Sequence, residues 1–367
     1  MAELFKNIYS KAFLDRFSVS LEQTLPKFNK EAFVNDVLND NWKEKELKQR
    51  AKHIAAVLKT YLHNDYEKDI QTIIQIIHQI RKSGLKEESI EYMFLPEFIE
   101  MYGLDYFDIS MDAIEQITQF TSCEFAIRPF IKKYPEKTMA IMLSWSIHSS
   151  HLVRRLSSEG CRPRLPWAMA LPDFKLNPQS ILPILENLKN DTSDFVRRSV
   201  ANNLNDISKD NPNTVIEIAK RWKGYNKETD WIVKHGCRTL LKKANNEILQ
   251  LFELEKDVNC TITKFLINSD TIKIGDDLEF SFEFINNANK VLKLRIEYAI
   301  YYMKANGKWS RKLFKITENT YNNHVAYTFK RKQSFRNLTT RKHYVGSHKI
   351  AIVINGNEIA EKEFKLL

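Results

Sequence analysis

Three segments of the chain repeat one pattern: "SHLVRRLSSEG" (150–160), "SDFVRRSVANN" (193–203) and "TDWIVKHGCRTL" (229–240) each set an apolar residue and a valine before two basic residues. The valines, Val153, Val196 and Val233, stand 43 and 37 residues apart. That is the period of a two-helix HEAT-like unit, in which helix pairs stack and neighbours bury each other's apolar faces. "SCEFAIRPFIKKYP" (122–135) reads as a shorter, diverged copy and "KELKQRAKHIAAVLKTYL" (45–62) as an early one. A repeat of this kind turns the same helix of every pair toward one surface, so the basic pairs would line one groove. Architecture of this sort most often serves protein binding, and a non-catalytic scaffold is one reading of the chain.

Near residue 255 the periodicity changes. Up to "ELEKDVNC" the pattern is helical. Beyond it, β-branched and aromatic residues alternate with polar ones, broken by "IGDD", "NNANK", "ANGK" and the hairpin signal "NGN". The expected fold is multidomain α + β. An all-α HEAT-like repeat solenoid over 1–255 precedes an all-β immunoglobulin-like sandwich over 256–367. Charge follows the same division. The net charge is −5 over residues 1–120, +6 over 121–255 and +9 over 256–367. A regional positive excess of this kind suits a polyanion or a solvated basic surface.

Several functions are disfavoured. The four cysteines, Cys123, Cys161, Cys237 and Cys260, form no CxxC pair, so neither a zinc site nor a disulfide framework is expected. "HSSH" (His148, His151) has helical spacing but lacks a third ligand, and no metal or other cofactor is expected. GxxxxGK[ST], GxGxxG, GxSxG and HExxH are absent. "MAELFKNIYS" does not read as a secretory signal and no apolar run is long enough to span a bilayer. The expected location is a bacterial-type cytoplasm, near the nucleoid.

The informative stretch is 120–245. Arg128, Arg154, Arg155, Arg162, Arg164, Arg197, Arg198, Arg238, Lys242 and Lys243 recur at related repeat positions, a set that could track a phosphate backbone. On the 196–210 segment, Val196, Val200, Leu204 and Ile207 make an apolar face. Arg198, Asn202 and Asp206, with Lys209 close behind, form a stripe offset from it by about 200° at roughly 100° per residue. Acidic residues at the expected groove positions are few. Glu159 follows Arg155 at i+4, and Glu124 precedes Arg128 at i+4. As structure these are helical salt bridges worth a few tenths of a kcal/mol, roughly. As function, a carboxylate beside DNA repels phosphate but stabilises the oxocarbenium-like transition state of N-glycosidic cleavage and orients water. Trp167, after two prolines in "CRPRLPWAMALPDF", either pins a turn or offers its indole face at the groove rim.

The combination "RRLSSEGCRPRLPWA", "VRRSVANNLNDISKDNP", "RW" (Arg221, Trp222) and "HGCRTLLKK" resembles the AlkC branch of the bacterial HEAT-like DNA alkylation repair glycosylases. The resemblance is strong over roughly 110–250 and looser before it. Some members carry a C-terminal immunoglobulin-like domain. A glycine usual after the last lysines is replaced by Ala244. The resemblance implies a monofunctional DNA glycosylase that removes 3-methyladenine, and 3-methylcytosine with it, from alkylated double-stranded DNA without base flipping. It places Asp206 and Glu159 near the deoxyribose with Glu124 also in the catalytic cluster, Trp167 against the damaged nucleotide's sugar, and the arginines on flanking phosphates. It further implies a monomer with no membrane contact and no obligate protein partner. In the C-terminal region, "FKRKQSFRNLTTRKHY" (329–344) becomes a second candidate DNA contact. Two rivals remain beside the glycosylase: the scaffold, and a DNA-binding relative that senses lesions without cleaving them.

Overall fold

The computed structural model describes residues 5–39, 41–85, 90–338 and 341–367. The start of "MAELFKNIYS" and Thr339–Thr340 of the basic 329–344 segment lie outside them.

The repeat is built as helix pairs. Pro135–Trp145 packs on His151–Gly160, Leu182–Leu188 on Asp194–Ile207, and Pro212–Trp222 on Lys227–Gly236. Each leading helix carries proline at its first or second position, where a missing N–H costs nothing. The trailing helices pack side by side in sequence order. Val153, Val196 and Val233 are buried at equivalent points, each such side chain contributing roughly 1.5–3 kcal/mol. Gly236 permits the close approach of the trailing helices Asp194–Ile207 and Lys227–Gly236, because a Cβ there would meet the Leu204 side chain at 2.9 Å.

The first arginine of each "VRR" does the same job 43 residues apart. Arg154 Nη1 donates to the carbonyls of His148 and Ser149 at 2.9 and 2.8 Å. Arg197 Nη1 donates to those of Asp191 and Thr192, both at 2.8 Å. Each guanidinium thus ties its helix to the turn that leads into it.

Helices persist to Asn246–Leu251 and strands begin at Cys260, bracketing the change of period near 255. Compactness divides the chain earlier, into Met1–Gly236 and Cys237–Leu367. The last two helices, Arg238–Lys242 and Asn246–Leu251, therefore belong with the strands. Within that second unit Asn355 Nδ2 donates to the Glu255 carbonyl at 2.7 Å, Lys293 pairs with Glu253 at 3.1 Å, and Gly356 leaves no room for a Cβ against Ala244.

The strands are β1 Cys260–Ile267, β2 Thr271–Ile272, β3 Asp277–Asn286, β4 Leu292–Met303, β5 Trp309–Tyr321, β6 Ala326–Ser334, β7 Gly346–Ile354 and β8 Asn357–Leu366. They form a three-stranded sheet, β1-β3-β6, and a five-stranded one, β2-β8-β7-β4-β5. Between them lies a core of Phe280, Phe282 and Phe284 from β3, Ile296 and Ile300 from β4, and Ile350 and Ile352 from β7. "NGN" turns β7 into β8 with Asn355 and Gly356 both at positive φ, 46° and 89°, the two-residue turn that matches strand twist. The chain is thus a helical repeat domain followed by a β-sandwich. Lys330, Arg331 and Lys332 are exposed on β6, an edge strand. Among the described residues, no helix is long and apolar enough to cross a membrane.

Candidate active site

The carboxylates singled out from the sequence come together within the first unit, joined by arginines into one chain of ion pairs. Glu124 lies just ahead of the Ile127–Lys133 helix and receives a hydrogen bond from Ser122 Oγ at 2.7 Å and another from Arg155 Nη1. Arg155 also approaches Glu159 at 3.6 Å. The second oxygen of Glu159 accepts from Ser199 Oγ at 2.6 Å. Arg162 bridges the remaining pair, donating to Glu159 at 2.6 Å and to Asp206 at 2.9 Å. Lys209 completes the chain on the other oxygen of Asp206, also at 2.9 Å. Burial works against the Arg162 charge, but Glu159 and Asp206 outweigh it and hold the guanidinium above its ordinary value.

Two sequence expectations are corrected here. Arg128 is wholly buried and does not pair with Glu124. It donates to the carbonyls of Gly160, Arg162 and Met169 at 2.7–2.9 Å instead. Burial, with Arg162 nearby, lowers it to about 10. The i+4 relation to Glu124 is not helical, because the helix starts only at Ile127. Arg162 is buried too, and its donors go to carboxylates, so neither arginine presents itself to a phosphate. The stripe on Asp194–Ile207 is likewise not uniform. Arg198 is exposed and pairs with Asp194 at 2.7 Å, Asn202 is half-buried, and Asp206 is only 2% exposed.

The other basic candidates scatter. Arg154 is held by Asp191 at 2.6 Å, and Arg164 pairs with Asp210 on the surface. Arg197 is half-buried at its turn, and Lys209 is exposed. Arg238 is half-buried in the second unit, where Lys242 and Lys243 are exposed.

A cavity of about 240 Å³ opens beside this network, with Glu124, Arg155 and Trp167 on its wall together with Phe125, Phe195 and Pro96. Glu159 and Asp206 are not on the wall. Trp167 is 69% exposed and sits at φ 64°. The indole is therefore a rim group and not a core pin.

Against known proteins, residues 34–240 match the family described as "DNA alkylation repair enzyme" and residues 261–367 match a C-terminal Ig-like domain defined on the uncharacterised protein YhaZ. The chain belongs to the DNA alkylation repair enzyme family. An uncharacterized protein YhaZ of Bacillus subtilis is 38% identical over 366 residues, covering all of both chains. The Pseudomonas fluorescens alkylpurine DNA glycosylase AlkC, solved bound to DNA containing an abasic-site analogue, superposes with a TM-score of 0.92 at 32% identity, again over the full length of both.

Sequence reasoning missed two acidic residues of this family member. Glu97 and Glu100 lie on the cavity wall, from the otherwise apolar helix Phe94–Tyr102. Their spacing of three in "FLPEFIE" was the available signal. Burial raises both, and with Glu97's like charge it pushes Glu100 up to about 7, against the pull of Lys48 and Lys52. Native Glu100 therefore keeps a proton that the unfolded chain gives up near 4.5, and stability falls as pH rises between these values. Glu100→Gln should remove that fall. Urea unfolding at about pH 5 and about pH 8 should show the variant gaining on the native chain at the higher pH, and an equal difference at both would reject the assignment.

Proposed function

We propose that this protein is a monofunctional DNA glycosylase that hydrolyses the N-glycosidic bond of small cationic N3-methylated bases in duplex DNA, 3-methyladenine foremost and 3-methylcytosine with it. The observation that carries this reading is the convergence of Glu124, Glu159 and Asp206 through Arg155 and Arg162, beside an exposed Trp167. Family membership supports DNA repair chemistry, and the AlkC neighbour supports the reaction class.

The chemistry asks little of the protein. A base methylated at N3 is already cationic and leaves neutral, so no general acid is required. What remains is to stabilise positive charge developing on the sugar and to direct a water to C1′. Glu124, on the cavity wall, meets the sugar with Trp167, whose face favours cationic character. Glu159 and Asp206 supply negative potential behind it, fixed in place by Arg162. Because no pocket has to hand the base a proton, the lesion is read without base flipping. Arg164, Arg197, Arg198, Asn202 and Lys209 hold flanking phosphates, with Arg154 placing its helix and Arg155 placing Glu124. Arg238, Lys242, Lys243 and the basic strand β6 add contacts from the second unit. The protein acts as a monomer in the bacterial cytoplasm, with no metal or organic cofactor and no obligate protein partner.

Incubation of the purified protein with methylated duplex DNA in EDTA should release free 3-methyladenine and leave abasic sites. If no base is released, the activity is wrong. Salt-dependent duplex binding would then mark a lesion sensor, and its absence a scaffold.

A further inference from the structure

We propose that Arg128 and Lys48 are positioning residues that hold the 161–171 loop, and with it Trp167, in the shape the site requires. Its importance for base release rests on the function proposed above; the conformational claim stands without it.

Arg162 and Arg164 anchor the start of the loop through Glu159, Asp206 and Asp210, but the stretch around Trp167 has little of its own to define it. Its internal backbone bonds are long, Ala168 N to the Leu165 carbonyl at 3.4 Å and Leu171 N to the Pro163 carbonyl at 3.5 Å. Trp167 nonetheless adopts φ 64°, a left-handed conformation that costs a side-chain-bearing residue roughly 1–2 kcal/mol. Such a conformation persists only where the surroundings over-determine it.

Arg128 supplies the main constraint. Its Nη1 takes the Gly160 and Arg162 carbonyls where the loop begins, and its Nε takes the Met169 carbonyl two residues past Trp167. One rigid guanidinium thus fixes the distance between the two ends. Three neutral carbonyls are a poor return for burying a cation, since Nη2 has no acceptor among the described residues. The arrangement makes sense as a clamp on the loop and not as a source of stability. Lys48, from the helix Leu47–Tyr61, adds the second point. Its Nζ lies 3.2 Å from the Trp167 carbonyl itself and 4.8 Å from the Phe125 ring centroid. A lysine at position 128 would keep the charge but could not span both loop ends. Methionine at position 48 would keep the contact with Phe125 and lose the hydrogen bond.

The test uses Arg128→Lys and Lys48→Met in the full-length chain, each with Trp167 and with Trp167→Phe. Subtracting the Trp167→Phe emission isolates the Trp167 signal. Both variants should shift that signal and change its acrylamide quenching, while far-UV circular dichroism stays native. Single-turnover release of 3-methyladenine should fall about tenfold or more, as a displaced catalytic contact demands, with affinity for abasic-site duplex held within about threefold. In the Trp167→Phe background, Lys48→Met should add little further loss of rate. Lys48 is half-buried on a helix surface, so Lys48→Met decides the matter should Arg128→Lys fail to fold. A folded Lys48→Met with an unchanged Trp167 signal overturns the clamp. If native protein releases no base, the proposed activity falls, and the fluorescence still decides the loop.

Discussion

Asp206→Asn should yield a folded protein that binds abasic-site duplex DNA yet releases 3-methyladenine at about one hundredth of the native rate or less. The amide is chosen for what surrounds Asp206. Its carboxylate is buried between Arg162 and Lys209, each at 2.9 Å. Alanine would strip one of its two carboxylate partners from the buried Arg162, leaving only Glu159, and a broken buried pair of this kind costs roughly 3–5 kcal/mol. Lost activity in Asp206→Ala could then reflect a disordered site. Asparagine keeps an oxygen for Arg162 and removes only the charge. Single-turnover release measured against abasic-DNA affinity separates the two roles: a rate loss at constant affinity assigns the charge to the transition state. A native rate would remove Asp206 from the reaction. A loss confined to affinity would make it a binding residue.

Much of this was legible in the chain. The 43-residue spacing of Val153 and Val196 encodes a helix pair, and an apolar residue at i, i+4 and i+8 has few ways to be satisfied other than burial. "NGN" specified its turn because only a few residue types accept two successive positive φ values. The misreadings share a physical origin. Helical spacing reports neighbours one turn away, and it found Arg155 beside Glu159, whereas the contacts that join one repeat to the next lie more than thirty residues apart. Arg155 reaches Glu124 and Arg162 reaches Asp206 across the fold, and no i, i+4 rule contains either pair. The stripe beginning at Arg198 looked solvent-facing along its length. Arg162, on the loop after the preceding repeat, packs over its far end and takes Asp206 out of water. Arg128 was misassigned for the complementary reason. A basic residue inside a diverged repeat copy is indistinguishable from a surface one until the carbonyls it serves, 32 to 41 residues away, are placed around it. The division of the chain after Gly236 was hidden likewise, because the last two helices keep helical periodicity while packing with strands.

Arg162→Met should be the most destabilising single change at the site and should abolish base release with it. The guanidinium bonds both Glu159 and Asp206 and lies with them in the interior. Removing one member of such a cluster leaves like charges facing one another out of water, a loss of about 3–5 kcal/mol. In a domain of this size each kcal/mol lowers Tm by roughly 2–4 °C, so a fall of roughly 6–20 °C is expected by calorimetry. The measurement becomes specific when paired with Asp206→Asn. If Arg162 is there to neutralise the carboxylates, the double variant should lose less stability than the two single losses combined, because the asparagine has already removed one of the facing charges. Strict additivity would mean that Arg162 stabilises the fold through its packing alone. Activity should not return with stability in the double variant, since the restored balance of charge is obtained by deleting the negative potential on which the reaction depends.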